Sequence, residues 1–217
     1  MGKILKNKVK NYYLYRTAKI RKRKISNPNI TLISNNCWGG MVSKTYNLRY
    51  NSPTVGCFFM SDDYIIFLKY LPDFLKAEEE FISFNESKWN SYFLEKKKDI
   101  NCPIMQLKYK DNVIEIFMLH YQTEKEAKEK WDRRKKRVNF ENMIVKMSEQ
   151  NNFSSKNLKD FENLNFKNKI CFTCSSIYEG KSVIMPIKYD VRKDIDINDE
   201  PRVKTKKFNL IEFINKA

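Results

Sequence analysis

The densest run of hydrogen-bonding and reactive side chains is Ser34-Asn35-Asn36-Cys37-Trp38-Gly39-Gly40, directly after the strand-like stretch Thr31–Ile33. In α/β sheets, ligands sit outside the carboxyl ends of strands. Gly39 and Gly40 let the backbone turn sharply and approach a ligand closely. Asn35 and Asn36 offer amide donors and acceptors and Trp38 a stacking face, a combination suited to sugars and phosphates. The same run also reads as a tight turn anchored by a buried Trp. A second loop, Asn51-Ser52-Pro53, precedes another strand-like stretch and is placed to face the same crevice.

His120 is the single histidine. It follows the apolar run Val113–Leu119 and precedes a helix start at Thr123, so it falls at the carboxyl end of a strand. Two roles stay open for it: a structural histidine, or a general base, since imidazole exchanges protons near neutral pH. With no Gly-x-Ser-x-Gly elbow in the chain, the proton such a base takes belongs to a substrate hydroxyl. The segment Lys125–Arg137 holds eight cations, most of them on a solvated helix face with i,i+4 pairs such as Glu126/Lys130. Arg134 shares the apolar stripe of Ala127, Trp131 and Val138, which buries its guanidinium in part. A buried arginine is either ion-paired or holds an anionic ligand bidentately, and Arg137 is a further candidate for the anion.

The five cysteines carry less. Cys37 could serve as a nucleophile at a strand-to-helix turn, but no Gly-x-Cys-x-Gly elbow surrounds it, and Cys57, Cys102, Cys171 and Cys174 lie in or beside apolar runs. Cys171-Phe-Thr-Cys174 has the gap of a metal pair. It lacks a second pair, and strand alternation points the two thiols to opposite faces, so neither metal nor cofactor is expected. The Walker A loop, the dinucleotide-binding glycine fingerprint, the helical His-Glu-x-x-His motif and the RNA-binding and zinc-finger signatures are absent, which leaves no specific nucleic-acid signal.

The elements that must position these groups alternate. Strands are expected at Ile30–Ile33, Val55–Met60, Ile104–Tyr109, Val113–Leu119, Met143–Met147, Ile170–Cys174 and Val183–Ile187. Several are continuous apolar runs, as suits strands covered on both faces. Helices begin at Asp62–Asp63, where acids suit the first turn, running to Pro72; at Thr123, whose Thr-x-x-Glu spacing to Glu126 is a reciprocal cap; and near Ser154 or Ser155. An apolar patch from Phe208 to Ile214 reads as a short terminal helix. The pattern predicts an α/β three-layer sandwich with a mixed, mostly parallel sheet, over a single domain 25–217.

Residues 1–24 form a separate segment with ten cations and no acid, out of a net charge of +16 over 217 residues. The charge is therefore concentrated, unlike that of a protein binding nucleic acid along a whole face. The 23 Asn beside many Lys and Ile point to an AT-rich coding bias behind part of it. Leu5, Val9, Tyr12, Tyr13 and Ile20 fall near one helical face, a basic amphipathic helix able to lie on an anionic membrane or to dock on its own domain. No stretch is apolar enough to span a bilayer. The basic N-terminus lacks a signal-peptide core, and the cysteine pattern is not a disulfide framework. A cytoplasmic location is expected, with peripheral membrane contact through residues 1–24.

The chain resembles a family of bacterial exopolysaccharide and capsule biosynthesis proteins catalogued as domain of unknown function 1919. The resemblance rests on Ser34 to Gly40, Asn51-Ser52-Pro53-Thr54 and Asp63 to Leu68. It continues in order through His120-Tyr121, Glu126-Ala127, Lys130 to Arg134, Arg137-Val138-Asn139, Asn142 and the Phe161–Phe172 stretch with Lys169, covering about residues 15–187. It implies a three-layer α/β fold and a setting in cell-surface polysaccharide loci. With the residues above, it leads to the expectation of a transferase moving an acyl or phosphoryl-type group onto a glycan-precursor hydroxyl. Asn35, Asn36, Trp38, Gly39, Gly40, Asn51 and Ser52 would contact the sugar, His120 would act as base, and Arg134 and Arg137 would hold a phosphate of the activated donor. The alternative is a non-catalytic glycan-binding or membrane-proximal assembly factor.

Overall fold

The computed structural model describes residues 9, 12–185 and 195–217. Leu5 and the cations Lys3, Lys6, Lys8 and Lys10 of the expected basic helix lie outside them, as do the last residues of the expected strand Val183–Ile187. The chain is mixed α/β. In place of one mixed sheet, the strands divide into two four-stranded sheets.

The first is parallel and runs β1 (Thr31–Ser34), β6 (Met143–Ser148), β7 (Lys169–Phe172) and β8 (Val183–Ile184) across the sheet. β1 and β6 pair from Thr31 opposite Met143 to Ser34 opposite Lys146. All residues of β1 and β6 are buried, which is why they read as apolar runs rather than alternations. The second sheet is antiparallel and ordered β2 (Phe58–Phe59), β5 (Asn112–Phe117), β4 (Ile104–Tyr109) and β3 (Glu79–Ile82). β4 and β5 form a hairpin closed at Tyr109 opposite Asn112, with Lys110 in the left-handed region at φ 52°, as a two-residue connection requires.

The helices in chain order are α1 (Ala18–Lys22), α2 (Trp38–Thr45), α3 (Ser61–Lys69), α4 (Leu71–Phe74), α5 (Asn90–Glu95), α6 (Glu124–Lys135), α7 (Ser155–Asn163) and α8 (Leu210–Lys216). The cap at Thr123 forms, its hydroxyl accepting from Glu126 N–H at 3.2 Å. The return bond goes one residue further back, with Gln122 N–H donating to the Glu126 carboxylate. The helix opening at Asp62–Asp63, α3, ends at Lys69, before Pro72, and Pro72 sits in the first turn of the separate short helix α4, where its missing N–H costs nothing.

One hydrophobic core joins the sheets. Ile33, Val145, Met147 and Cys171 of the parallel sheet meet Met105, Leu107, Ile114 and Ile116 of the antiparallel one, with Tyr64, Phe67, Trp131 and Phe161 from the helices between. A second cluster covers the other side of the parallel sheet with Trp38, Val42, Phe172, Cys174 and the α8 residues Leu210 and Ile214. Cys171 and Cys174 thus lie in different clusters, as their odd spacing implies. All five cysteines are free.

Candidate functional site

The turn after β1 is built by its own side chains. The Ser34 hydroxyl donates to the Asn36 carbonyl at 2.6 Å and accepts from Gly39 N–H at 3.0 Å. The Asn36 side-chain oxygen accepts from Trp38 N–H at 3.0 Å. These two residues satisfy donors that the first turn of α2 would otherwise leave open. A Cβ on Gly39 would come within 2.8 Å of the Leu32 carbonyl oxygen, so glycine is required there for close packing on β1. A Cβ on Gly40 would lie 3.0 Å from Val55 Cγ1, across the crevice described next.

That crevice, of about 320 Å³, opens where β1 and β5 both end. Cys37, Gly40 and Lys44 come from the β1–α2 turn and α2. Tyr50, Val55 and Gly56 come from the following loop, His120 and Tyr121 from the end of β5, and Lys130 and Arg134 from α6. The loop is stapled to the histidine segment. His120 N–H donates to the Gly56 carbonyl at 3.0 Å, and the Tyr121 hydroxyl donates to the Val55 carbonyl. Gly56 has φ +83°, a conformation that side chains resist.

Arg134 is 6% exposed. Its guanidinium donates from Nη1 to the Val55 carbonyl at 2.9 Å and to the Tyr121 hydroxyl at 2.5 Å, and it lies over the Tyr50 ring. Among the described residues no carboxylate comes within ion-pair distance of it, and its Nε is buried with no hydrogen-bond partner. No acidic residue lines the crevice, whereas Lys44, Lys130 and the exposed His120 do. Of these, Lys130 is paired with Glu126 at 2.5 Å on the helix surface. Arg134 is thus a buried cation at the wall of a basic crevice, held by a carbonyl, a hydroxyl and the faces of Tyr50 and Tyr121 rather than by a carboxylate at ion-pair distance among the described residues.

Cys37 also lines a second cavity, of about 440 Å³, with Asn36, Phe58, Phe93, Leu119, Gln150 and Asn151. Leu119 and His120, consecutive in sequence, therefore face two cavities that meet at Cys37. Burial pushes the Cys37 thiol up to about 11, against the opposing charge of Lys146, so at neutral pH it is a protonated thiol rather than a ready nucleophile.

Beneath the turn lies a fully buried polar cluster that the residue pattern did not reveal. The ammonium of Lys146, on β6, donates to Asn36 Oδ1 at 2.9 Å and to both carboxylate oxygens of Glu200 at 2.8 Å. It also bonds Ser148, whose hydroxyl bonds Glu200 in turn. Burial pulls the Lys146 ammonium below the usual lysine range, and the Glu200 charge opposes that pull. The Trp38 indole N–H donates to the Pro201 carbonyl at 2.8 Å, so the segment around Glu200 and Pro201 lies against the β1–α2 turn. A lone lysine inside the strand Met-Ile-Val-Lys-Met-Ser was the available signal, because such a charge needs a buried partner.

The expected sugar-contacting residues separate accordingly. Gly40 lines the basic crevice and Asn36 the second cavity. Trp38 is fully buried and turned toward Pro201, and Gly39 packs on β1. Asn35 is buried and bonds the Ser148 carbonyl. Asn51 is bound to Asn29 and to the Ile30 carbonyl, and Ser52 to Thr54; both serve the loop. Arg137 donates to the Tyr50 carbonyl at 3.4 Å and lines a separate shallow depression with Arg49. Tyr15, Met41, Lys44 and Tyr50 also line the crevice without any mark in the residue pattern, and Tyr121 and Lys130 join them. Among the described residues no group of His, Cys, Asp or Glu converges as a metal site, and no helix is long and apolar enough to cross a membrane.

Fold and crevice define the class: an α/β protein with a crevice lined by basic and no acidic side chains at the carboxyl end of a parallel strand. Within that class, the chain belongs to the family described as domain of unknown function (DUF1919), whose profile matches residues 8–215. An uncharacterized protein of Haemophilus influenzae (strain ATCC 51907 / DSM 11121 / KW20 / Rd) is 29% identical over 167 residues, covering 77% of this chain and 71% of that protein.

Proposed function

We propose that the crevice holds a phosphate of an activated donor and that the protein transfers an acyl or phosphoryl-type group to a glycan-precursor hydroxyl in cell-surface polysaccharide biosynthesis. One observation carries the reading: Arg134 is buried at the crevice wall, without a carboxylate partner among the described residues and with its Nε unbonded. In the reaction, the acceptor hydroxyl oxygen bonds the transferred carbon or phosphorus, and its proton passes to the His120 ring. The leaving group departs with its electron pair as an anion, held by Arg134 with Lys44 and Lys130. The adjoining cavity at Cys37 accommodates the remainder of the ligand.

The test titrates a hexose 1-phosphate into the protein by calorimetry. Arg134→Met is expected to weaken binding by about tenfold or more, as loss of a charge-assisted bidentate contact does. Lys44→Gln, a change at an exposed site, gives a smaller loss with the fold intact. His120→Asn is expected to keep binding and to abolish the modification when polysaccharide composition is compared in cells. Unchanged affinity in both Arg134→Met and Lys44→Gln overturns the anion site. The assembly-factor reading draws on a different observation, that no described side chain orients the His120 ring by a hydrogen bond. It predicts unchanged polysaccharide with His120→Asn.

A further inference from the structure

The helical turns over residues 12–16 and α1 carry an outward stripe of large apolar side chains. Val9 is 50% exposed, Tyr12 56%, Tyr13 65% and Ile20 59%. At 100° per residue Tyr12, Tyr13 and Arg16 fall within about 100° of one another on the turns over 12–16, and Ile20 is the exposed apolar residue of α1. Ala18, on the opposite side, is buried. The inner side is fastened to the body, because Arg21 Nε donates to the Thr45 carbonyl at the end of α2 at 2.9 Å and Lys44 lies 4.2 Å over the Tyr15 ring. The apolar stripe is therefore the free side of an anchored helix, not the side that docks on the domain.

Chemistry around the stripe names what covers it. Residues 1–24 hold ten cations and no acid. Arg16 is on the stripe itself, donating to the Tyr12 hydroxyl at 2.7 Å, and exposed Lys19 and Arg23 flank it. Tyrosines and an isoleucine bordered by cations match the polar–apolar boundary of a lipid surface: rings and the aliphatic chain enter the headgroup layer while ammonium and guanidinium groups meet phosphates. A folded-protein partner would have to supply an acidic rim and an apolar centre together, whereas an anionic bilayer presents both everywhere. We propose that this stripe docks the protein on an anionic phospholipid surface. The same helix contributes Tyr15 to the wall of the basic crevice, so docking brings the crevice mouth beside the headgroups. The inference stands without the reaction proposed above.

The test is co-sedimentation of the full chain with vesicles of equal parts phosphatidylglycerol and phosphatidylcholine, against phosphatidylcholine alone. The protein is expected to pellet with the first and not the second, and to release as salt rises, since the cationic part is screened. The pair Tyr13→Ser and Ile20→Ser is expected to lower the partition coefficient by about tenfold or more. Both sites are exposed, so an unchanged melting temperature verifies the fold. Failure to pellet with anionic vesicles overturns the inference. So does binding that survives the double substitution, or retention on duplex DNA that is stronger than on vesicles and indifferent to it.

Discussion

At the level of single residues, the site separates into side chains that face open space and side chains that hold the frame. Residue type alone marked Asn35, Asn36, Asn51 and Ser52 alike, because an amide or hydroxyl serves a loop and a ligand with the same chemistry. Asn36, Asn51 and Ser52 are engaged internally, whereas Asn35 bonds only the Ser148 carbonyl and its side-chain oxygen is buried without a hydrogen-bond partner. Arg134 was legible for a firmer reason: a guanidinium on a helical apolar stripe must be buried, and burial demands a partner. Lys146 obeys the same logic, but its apolar neighbours in Met143–Ser148 give the segment the pattern of a buried strand and mask the charge. Cys37 allows a direct check at this scale. Its thiol is pushed up to about 11 by burial, so the thiolate fraction at neutral pH is minute. Alkylation by iodoacetamide, followed at Cys37 by peptide mass spectrometry, is expected to accelerate about tenfold per pH unit from pH 7 to pH 9 without levelling off. A plateau near pH 8 would show an activated thiol and return Cys37 to the reaction as a nucleophile.

Among the elements, the segment around Glu200 shows how a distant piece of chain completes a strand end. β6 and β1 were readable from their apolar runs, and the register Val145 opposite Lys169 extends the same sheet. β3 was not readable: Glu79–Ile82 is half-buried, borders only β4, and carries two acids that serve Lys128 and Lys135 on α6 and Lys108 on β4. Nor did local pattern divide the strands between two sheets, since pairing partners are set by long-range packing rather than by periodicity. The Lys146–Glu200 pair is also long-range, 54 residues apart, with both side chains fully buried. Removing one partner leaves an uncompensated buried charge. Glu200→Leu is expected to cost about 3–5 kcal/mol by guanidinium denaturation, and Lys146→Met a similar amount. The double substitution is expected to cost far less than the sum, because apolar replacements can fill the site. Additive losses would mean that the two groups are solvated independently and that the segment near Glu200 does not seal the turn.

For the molecule as a whole, two sheets of different kind raise the question of whether they melt together. The main core draws side chains from both, and the junction is stitched by main-chain bonds. Phe59 N–H donates to the Asn35 carbonyl at 3.0 Å and Ser61 N–H to the Asn151 carbonyl at 2.9 Å. The Tyr64 hydroxyl reaches the Lys146 carbonyl at 2.9 Å. The crevice itself is made of pieces from each side, with Cys37 following β1 and His120 following β5, so a loosened junction would dismantle it. A chain of this size with a continuous core unfolds in one step when no part can bury its own apolar surface alone. The three tryptophans report on different places: Trp131 in the shared core, Trp38 behind the parallel sheet, and Trp89 against the small cluster of Phe93 and Phe117 beside the antiparallel sheet. In protein labelled with 5-fluorotryptophan, all three native fluorine resonances are expected to fade at one guanidinium midpoint. Early loss of the Trp89 signal while the other two persist would show that the antiparallel sheet melts on its own. The wall carrying His120 would then be a mobile one, and the crevice would have to be understood as assembled by its ligand.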